Sequence, residues 1–315
     1  MTATPSPDAS PYVPTSHRLR ARTALPATAL GAALLLVWRL LDAVTDGAPA
    51  GLLELTAPMA VAGLVLLVVG LAALLLPRRT AGLPVRAVAS PVQGPWGALN
   101  SPTTRVPSHG THGYGQTFAV DLVAEPDDGS RPAFGSGRAF RPPQDFPAFG
   151  RPVLAPAAGR VVSAHDGARD HLSRSTWPAV AYLMAEGVVR ELTGTLLGNR
   201  VVLDLGDGSY CLLAHLRRGS VSVRAGDVVQ PGDQVGECGN SGSSSEPHLH
   251  VHLMDHGRPS LAAGVPIAFR DVEVDGVVVT GVPANGGVMR ASTSHADRRP
   301  GEGGRSPSPA AGPEG

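Results

Sequence analysis

The residues best suited to perform chemistry are three histidines, His248, His250 and His252, spaced two apart in one apolar run. Alternate side chains of a β-strand point to the same face, so this spacing predicts three imidazole rings on one side of a strand. Buried imidazoles need polar partners, and imidazole is the commonest side-chain ligand for zinc. The spacing therefore indicates a metal site or a solvated polar face, and by itself it does not decide between them.

Four other polar residues that could take part in chemistry lie upstream of this trio. His215 lies in an apolar run, and His109 and His112 lie in a glycine-rich loop. Asp121 lies inside another apolar run, where an unpaired carboxylate would be costly. A metal ion or an arginine partner would each remove that cost, so both roles stay open for this residue. Three further histidines are predicted to lie at the surface: His165, His171 and His256.

The composition excludes several classes of protein. The 315 residues carry 26 basic and 26 acidic side chains, and a net charge of zero argues against a nucleic-acid-binding surface. Every basic residue is arginine, so Schiff-base chemistry, P-loops and lysine-linked carrier domains are excluded. Two cysteines cannot form a disulfide framework or a four-thiolate zinc site. The 11 histidines are therefore the main candidates for catalytic or metal-binding residues.

The elements that must position these residues are short. From about residue 87 onward, apolar runs alternate with Gly and Pro, which predicts a mainly β domain with an antiparallel sheet. Gly206-Asp207-Gly208 predicts a hairpin turn, and Trp177–Leu192 repeats apolar residues at helical spacing. Strands are predicted over residues 152–155, 159–164, 199–205, 209–216, 220–224, 228–229, 234–238 and 248–254.

Two apolar stretches precede this domain, at about residues 24–44 and from about residue 52. The centre of the second, Met59–Leu76, has no polar side chain and as a helix would span about 27 Å, close to the hydrocarbon thickness of a bilayer. We interpret the two stretches as a hairpin of transmembrane helices; core helices, or a cleaved signal peptide for the first stretch, are the alternatives. The predicted organisation is a disordered tail over 1–22, two transmembrane helices over 23–77, a linker over 78–104, a β domain over 105–282 with its core at 150–254, and a disordered tail over 283–315.

Arginines flank this hairpin on both sides, whereas the short loop between the two stretches carries acidic residues and no cation. The positive-inside rule therefore predicts that both ends of the hairpin lie in the cytoplasm. The flanking cations are Arg18, Arg20, Arg22, Arg78, Arg79 and Arg86.

Taken in chain order, five blocks resemble the M23 family of zinc metallopeptidases, the lysostaphin- and LytM-like enzymes that cut peptide cross-links of peptidoglycan. The resemblance covers about residues 105–256 and implies a β-sheet core of the duplicated hybrid motif type, with a metal site in a groove. The blocks are Pro152–Val161, Ala214–Leu216, Gly226–Gly232, Gly239–Gly242 and Pro247–His250.

The resemblance implies roles for individual residues. His250 and Asp121 correspond to zinc ligands, and His215 and His248 correspond to the two catalytic histidines that do not bind the metal. The first metal motif departs from the family pattern, because the position four residues before Asp121 holds threonine. The third ligand must then come from His109, which we favour, or from His112.

A second departure follows the H-x-H pair: the family's usual Phe-Glu is replaced here by Val251-His252, so His252 is an additional imidazole with no role in the family.

The resemblance, together with the two apolar stretches, implies a membrane-anchored zinc endopeptidase that acts on peptidoglycan peptides and needs Zn²⁺. The alternative is a catalytically inactive M23-like module that binds a partner or a wall fragment at the membrane. A phosphocarrier with a related β fold is a third possibility, but it would not need Asp121 or His215. Action on peptidoglycan implies an extracytoplasmic domain, whereas the arginine distribution predicts a cytoplasmic one.

Overall fold

The computed structural model describes residues 10–44 and 50–291. Expectations for residues 1–9, 45–49 and 292–315 lie outside this range. The chain begins with two long helices, α1 (Thr15–Val44) and α2 (Ala50–Leu75), and continues into a β domain with a third helix, α3 (Trp177–Leu192). The predicted bounds of α3 are those observed.

Helices α1 and α2 pack against each other as an antiparallel pair through small residues. A Cβ on Gly31 would lie 2.4 Å from the backbone nitrogen of Leu67, and one on Gly70 would lie 2.3 Å from Oγ1 of Thr28. Their outer faces carry exposed aliphatic side chains, such as Leu36 and Val61. By length and composition, both helices are long and apolar enough to cross a membrane.

The first helix begins earlier than the sequence predicts. Residues 15–22, expected in a disordered tail, form the first turns of α1, because the segment before it is fixed on the β domain. Val13 is buried in the core of that domain, and the Tyr12 hydroxyl donates a hydrogen bond to Asp207 (3.2 Å). The helix thus starts from a fixed point, and Arg18, Arg20 and Arg22 lie in its first turns.

The β domain is built on one large twisted sheet. Its main path runs β1-β12-β14-β2-β3-β10-β7-β6-β5-β8, with β11 paired to β10 and β13 to β12, while β4 and β9 form a separate pair. All pairings are antiparallel except that of β1 with β12. The mainly β prediction is confirmed. The strands are β1 (Arg86–Val88), β2 (Gly94–Leu99), β3 (Val120–Ala124), β4 (Pro152–Leu154), β5 (Gly159–His165), β6 (Asn199–Asp204), β7 (Tyr210–Leu216), β8 (Val228–Val229), β9 (Gln234–Glu237), β10 (Leu249–Met254), β11 (Gly264–Val265), β12 (Ile267–Val274), β13 (Val277–Gly281) and β14 (Val288–Ala291).

The sheet is wider than the sequence predicts. The range expected to be a linker, 78–104, contains β1 and β2, and β14 lies in the range expected to be a disordered tail. Strand β2 is held by β3 on one side and β14 on the other, and it buries Trp96 and Ala98 in the core. Conversely, the predicted strand at 220–224 does not form. There, Ser222 donates a backbone hydrogen bond to Val235 (3.1 Å), which does not extend into a ladder.

The two faces of the central strands differ in polarity: one packs into the hydrophobic core and the other carries polar side chains. Val251 of β10 and its cross-strand neighbours Val120 and Leu213 point into the main hydrophobic core. The alternate residues point to the opposite face, where His250 lies directly beside Asp121 of β3 and Ala214 of β7. This face carries the polar residues that the sequence singles out.

Both helices meet the β domain at the same end. The backbone N–H of His112 donates to the carbonyl of Leu74 near the end of α2 (2.9 Å), and the Leu74 side chain lies against Gly113. At the same end of the hairpin, Arg78, which follows α2, donates to the carbonyl of His17 in α1 (3.5 Å). The loop that carries His109 and His112 is therefore in direct contact with the helical hairpin.

Candidate metal and catalytic site

Three side chains converge at the centre of the polar face. Nδ1 of His250 lies 2.8 Å from Oδ1 of Asp121, and Nε2 of His109 lies 3.1 Å from Oδ2 of the same carboxylate. One ligand atom from each residue lies within 4.8 Å of the others, which is the spacing of a site able to hold a metal ion. Two imidazole nitrogens and a carboxylate oxygen are a donor set that suits zinc, with a fourth position left for water.

The glycine-rich loop determines which histidine joins this group. Gly110 has φ 74°, a left-handed conformation that lets the chain turn directly after His109. Nδ1 of His109 is held by the Ser108 hydroxyl (3.0 Å), which leaves Nε2 directed at Asp121. His112, the alternative ligand, lies outside the cluster: its Nδ1 contacts Oγ1 of Thr117 (3.0 Å) and its ring is buried near the end of α2.

His215 and His248 stand together beside this group, with ring centroids 4.8 Å apart. Nδ1 of His215 lies 2.8 Å from the carbonyl of Ser241, and Nδ1 of His248 lies 2.8 Å from the carbonyl of Glu246. A carbonyl can only accept, so each ring carries a proton on Nδ1, and in its neutral form it has a lone pair on Nε2. Nε2 of His248 is 3.5 Å from Oδ1 of Asp121, so this nitrogen lies next to the three candidate ligands.

Burial and charge set the ionisation of the site. Burial tends to raise the pKa of Asp121, but the charges of His109 and His248 and the hydrogen bonds from His109 and His250 hold that pKa well below its usual range. Burial lowers the pKa of His250 and, with the neighbouring His248 and His250, lowers that of His215 far below the ordinary value. A carboxylate anion beside an imidazole of lowered pKa, such as His250, is the arrangement that binds a divalent cation.

Two supporting residues have no signal in the sequence. Asn100, at the end of β2, has φ 46° and donates from Nδ2 to Oδ2 of Asp121 (2.8 Å). His171 is buried rather than exposed as predicted: its Nε2 lies 2.8 Å from the carbonyl of Gly242, next to the Ser241 carbonyl that holds His215. Both contacts join residues far apart in sequence, which spacing alone cannot reveal.

The two cysteine thiols are unreactive. Cys211 and Cys238 are free and fully buried. Burial raises the pKa of Cys211 to about 12, and it raises that of Cys238 as well. Neither thiol is therefore ionised at neutral pH.

Comparison with known proteins finds similarity in the second half of the chain. The model of the family described as Peptidase family M23 matches residues 178–261, a range that includes His215, His248 and His250. The peptidoglycan DD-endopeptidase ShyA of Vibrio cholerae serotype O1 is 36% identical over 73 residues, which make up 22% of this chain and 16% of that protein. This chain therefore aligns with only a small part of that relative.

Solved structures of similar proteins include peptidases. The catalytic domain of lysostaphin from Staphylococcus simulans matches at 21% identity over 48% of this chain and 84% of that one, with a TM-score of 0.28. A zinc-containing peptidase from Vibrio cholerae matches at 16% identity over 47% of this chain and 50% of that one, with a TM-score of 0.24. The resemblance to family M23 predicted from the sequence blocks is confirmed over residues 178–261 by the family match.

Proposed function

We propose that this protein is a membrane-anchored zinc metalloendopeptidase that hydrolyses peptide bonds in peptidoglycan cross-links. The observation that carries the proposal is the convergence of His109, Asp121 and His250 beside two histidines with lone pairs on Nε2. The named relative that acts on peptidoglycan supports the choice of substrate.

The residues divide into ligands and proton carriers. His109, Asp121 and His250 would hold zinc, which when bound supplies a Lewis acid for the scissile carbonyl and lowers the pKa of a water molecule. His248 and His215 can accept a proton at Nε2, because their Nδ1 protons are committed to backbone carbonyls. Once protonated, the same nitrogens can donate to the oxyanion of the tetrahedral intermediate or to the leaving amine.

The metal assignment is tested by zinc content. We expect Asp121→Ala and His250→Ala to abolish zinc binding by the purified full chain, because each removes one of three protein ligands. His165→Ala is the matched control, since this exposed imidazole lies outside the cluster. Metal analysis after dialysis measures the outcome, and full zinc occupancy in both ligand variants would contradict the assignment.

A catalytically inactive binding module is the second candidate. It is favoured by Thr117, which stands where the family usually has its first histidine and here contacts His112 instead. Cleavage of cross-linked muropeptides by the zinc-loaded chain, with loss of cleavage after chelation, separates the two candidates. Binding of the same fragments without cleavage would favour the module.

The structure moves the limits of the β domain outward from those predicted from the sequence, 105–282. We propose two membrane-spanning helices, α1 and α2, followed by a catalytic domain of residues 86–291, because strands β1 and β14 both belong to the main sheet.

We further propose that the catalytic domain lies outside the cytoplasmic membrane, where peptidoglycan is found. Three of the six arginines that predict the opposite side face acidic groups of the protein: Arg86 binds Asp207 (2.6 Å), and the charges of Arg22 and Arg18 act on the carboxyl of Asp255. Because these charges are directed at the protein itself, the arginine distribution is a weaker signal of topology than it would be in a free loop.

The orientation is tested by labelling an introduced cysteine. Val278 is exposed on β13, whereas the two native thiols are buried, so Val278→Cys provides one accessible thiol. We expect a membrane-impermeant maleimide to label this variant on cells whose cytoplasmic membrane is intact, with the wild type as the unlabelled control. Labelling only after that membrane is opened would place the domain in the cytoplasm.

A further inference from the structure

His252 is the one member of the histidine trio that the proposed chemistry does not use. It follows His250 by two positions on β10, so both rings lie on the same face of the sheet. Nδ1 of His252 lies 3.0 Å from Nε2 of His250, and the two rings meet edge to face with centroids 5.2 Å apart. The side chain is fully buried, so this contact is sheltered from water.

The two nitrogens of His250 face different partners. Nδ1 points to Asp121 and the metal group, while Nε2 points away from it to His252. A neutral imidazole that binds a metal through Nδ1 must carry its proton on Nε2, and that buried proton needs an acceptor. We propose that His252 is a positioning residue that accepts this proton through Nδ1 and thereby fixes the tautomer and ring orientation of His250 for zinc binding. The inference rests on the proposed metal site.

The contacts of the two rings indicate which nitrogens carry protons when Asp121 accepts from His250. The Asp121 carboxylate can only accept, so Nδ1 of His250 donates to it and Nε2 of His250 keeps a lone pair. Nδ1 of His252 then donates to that lone pair, and Nε2 of His252 carries no proton. This Nε2 of His252 is buried and has no hydrogen-bond partner within the described part of the chain.

Zinc binding at Nδ1 of His250 reverses both tautomers. The Nδ1 proton of His250 is released, the proton between the two rings moves from His252 to Nε2 of His250, and Nε2 of His252 takes up one proton. The number of protons on the pair is unchanged.

The tautomer reversal gives a readout that packing alone would not change. In full chain labelled with ¹⁵N-histidine in detergent micelles, we expect His252 to change from the Nδ1–H to the Nε2–H form when zinc is added. The assignment is made by comparison with His252→Gln. An unchanged His252 tautomer in a chain that binds zinc would overturn the inference.

Variants at this position test its strength. We expect His252→Phe, which keeps a planar ring but has no acceptor, to lower zinc affinity by about 10- to 100-fold in chelator competition. His252→Glu, which restores an acceptor, should recover most of the affinity. Equal affinity in His252→Phe and wild type would overturn the inference, whereas a wild type that binds no zinc would contradict the proposed function instead. If His252→Phe does not fold, the tautomer measurement on the wild type decides.

Discussion

Asp121 is the residue on which the site depends, because four side chains from three separate segments address its two oxygens. His250 and His248 approach Oδ1, while His109 and Asn100 approach Oδ2. In the sequence this residue is marked only by being an acid in an apolar run. Its neighbours were predictable where spacing or glycine marked them, as for His250 and His109. Asn100 carries no such mark, because its contact arises only when β2 pairs with β3.

Single substitutions can distinguish the proposed metal ligands from the two proposed proton acceptors, His215 and His248. We expect His215→Asn and His248→Asn to keep zinc but to lower kcat by about 10²- to 10⁴-fold, because each removes a proton acceptor without removing a ligand. Asparagine suits His215, whose φ of 60° is left-handed. The measurements are zinc content and muropeptide cleavage on the same preparations. Loss of zinc in either variant would move that residue into the metal site.

At the scale of elements, the loop of residues 239–246 holds both proton-accepting histidines through its carbonyls. It is wedged against the turn before β6 by two glycines with positive φ, Gly198 and Gly242. A Cβ on Gly242 would lie 2.5 Å from the backbone nitrogen of Gly198, so no side chain fits there. The Ser241 carbonyl that binds His215 is the adjacent group, and its position depends on this contact.

We therefore expect Gly242→Ala to lower both stability, by about 1–3 kcal/mol, and kcat, because the loop must move and carry the Ser241 carbonyl with it. Gly206→Ala is a matched control: its φ of 78° equals that of Gly242 within one degree, but a Cβ there meets nothing within 4 Å. The control should lose stability through backbone strain and keep its kcat. Denaturant unfolding and muropeptide cleavage measure the two effects, and an equal loss of kcat in both variants would contradict the role of the loop.

Elements with a strong local pattern were predictable and those defined by distant pairing were not. The bounds of α3 follow from its apolar spacing, and the β6–β7 hairpin follows from its Gly-Asp-Gly turn. Strand β2 begins with Gly-Pro, a pair that is typical of linkers. It forms a strand because it pairs with β14, which lies nearly 200 residues later in the sequence. Long-range pairing of this kind leaves no periodicity in the sequence.

At the scale of the whole molecule, the helical hairpin and the β domain share an interface that lies close to His109, one of the three candidate ligands. His112 links them: its backbone binds the end of α2, its ring contacts Thr117, and it lies three positions after His109. The sequence marks the two helices by their apolar length, but nothing in it marks this contact. The hairpin therefore supports the loop that carries His109 and His112.

This interface makes stability depend on pH in a defined window. Burial, followed by the charges of Arg78, His17 and Arg20, lowers the pKa of His112 to about 4. The unfolded chain takes up a proton on this residue near pH 6.5, whereas the folded chain does not, so stability is present above pH 6.5 and is lost as the pH falls towards 4. Between pH 6.5 and 5 this residue alone should lower the free energy of unfolding by about 2 kcal/mol.

We expect His112→Phe to remove that part of the slope, because a phenyl ring fills the buried site without taking up a proton. The measurement is denaturant unfolding of the metal-free full chain in detergent between pH 7.5 and 5, where carboxylates with ordinary pKa values stay ionised. Burial also lowers the pKa of His215, His250 and His252, so a smaller slope of the same sign should remain in the variant. A slope identical to that of the wild type would show that His112 is protonated equally in both states. In that case the contact between α2 and the ligand loop would not be the source of acid sensitivity.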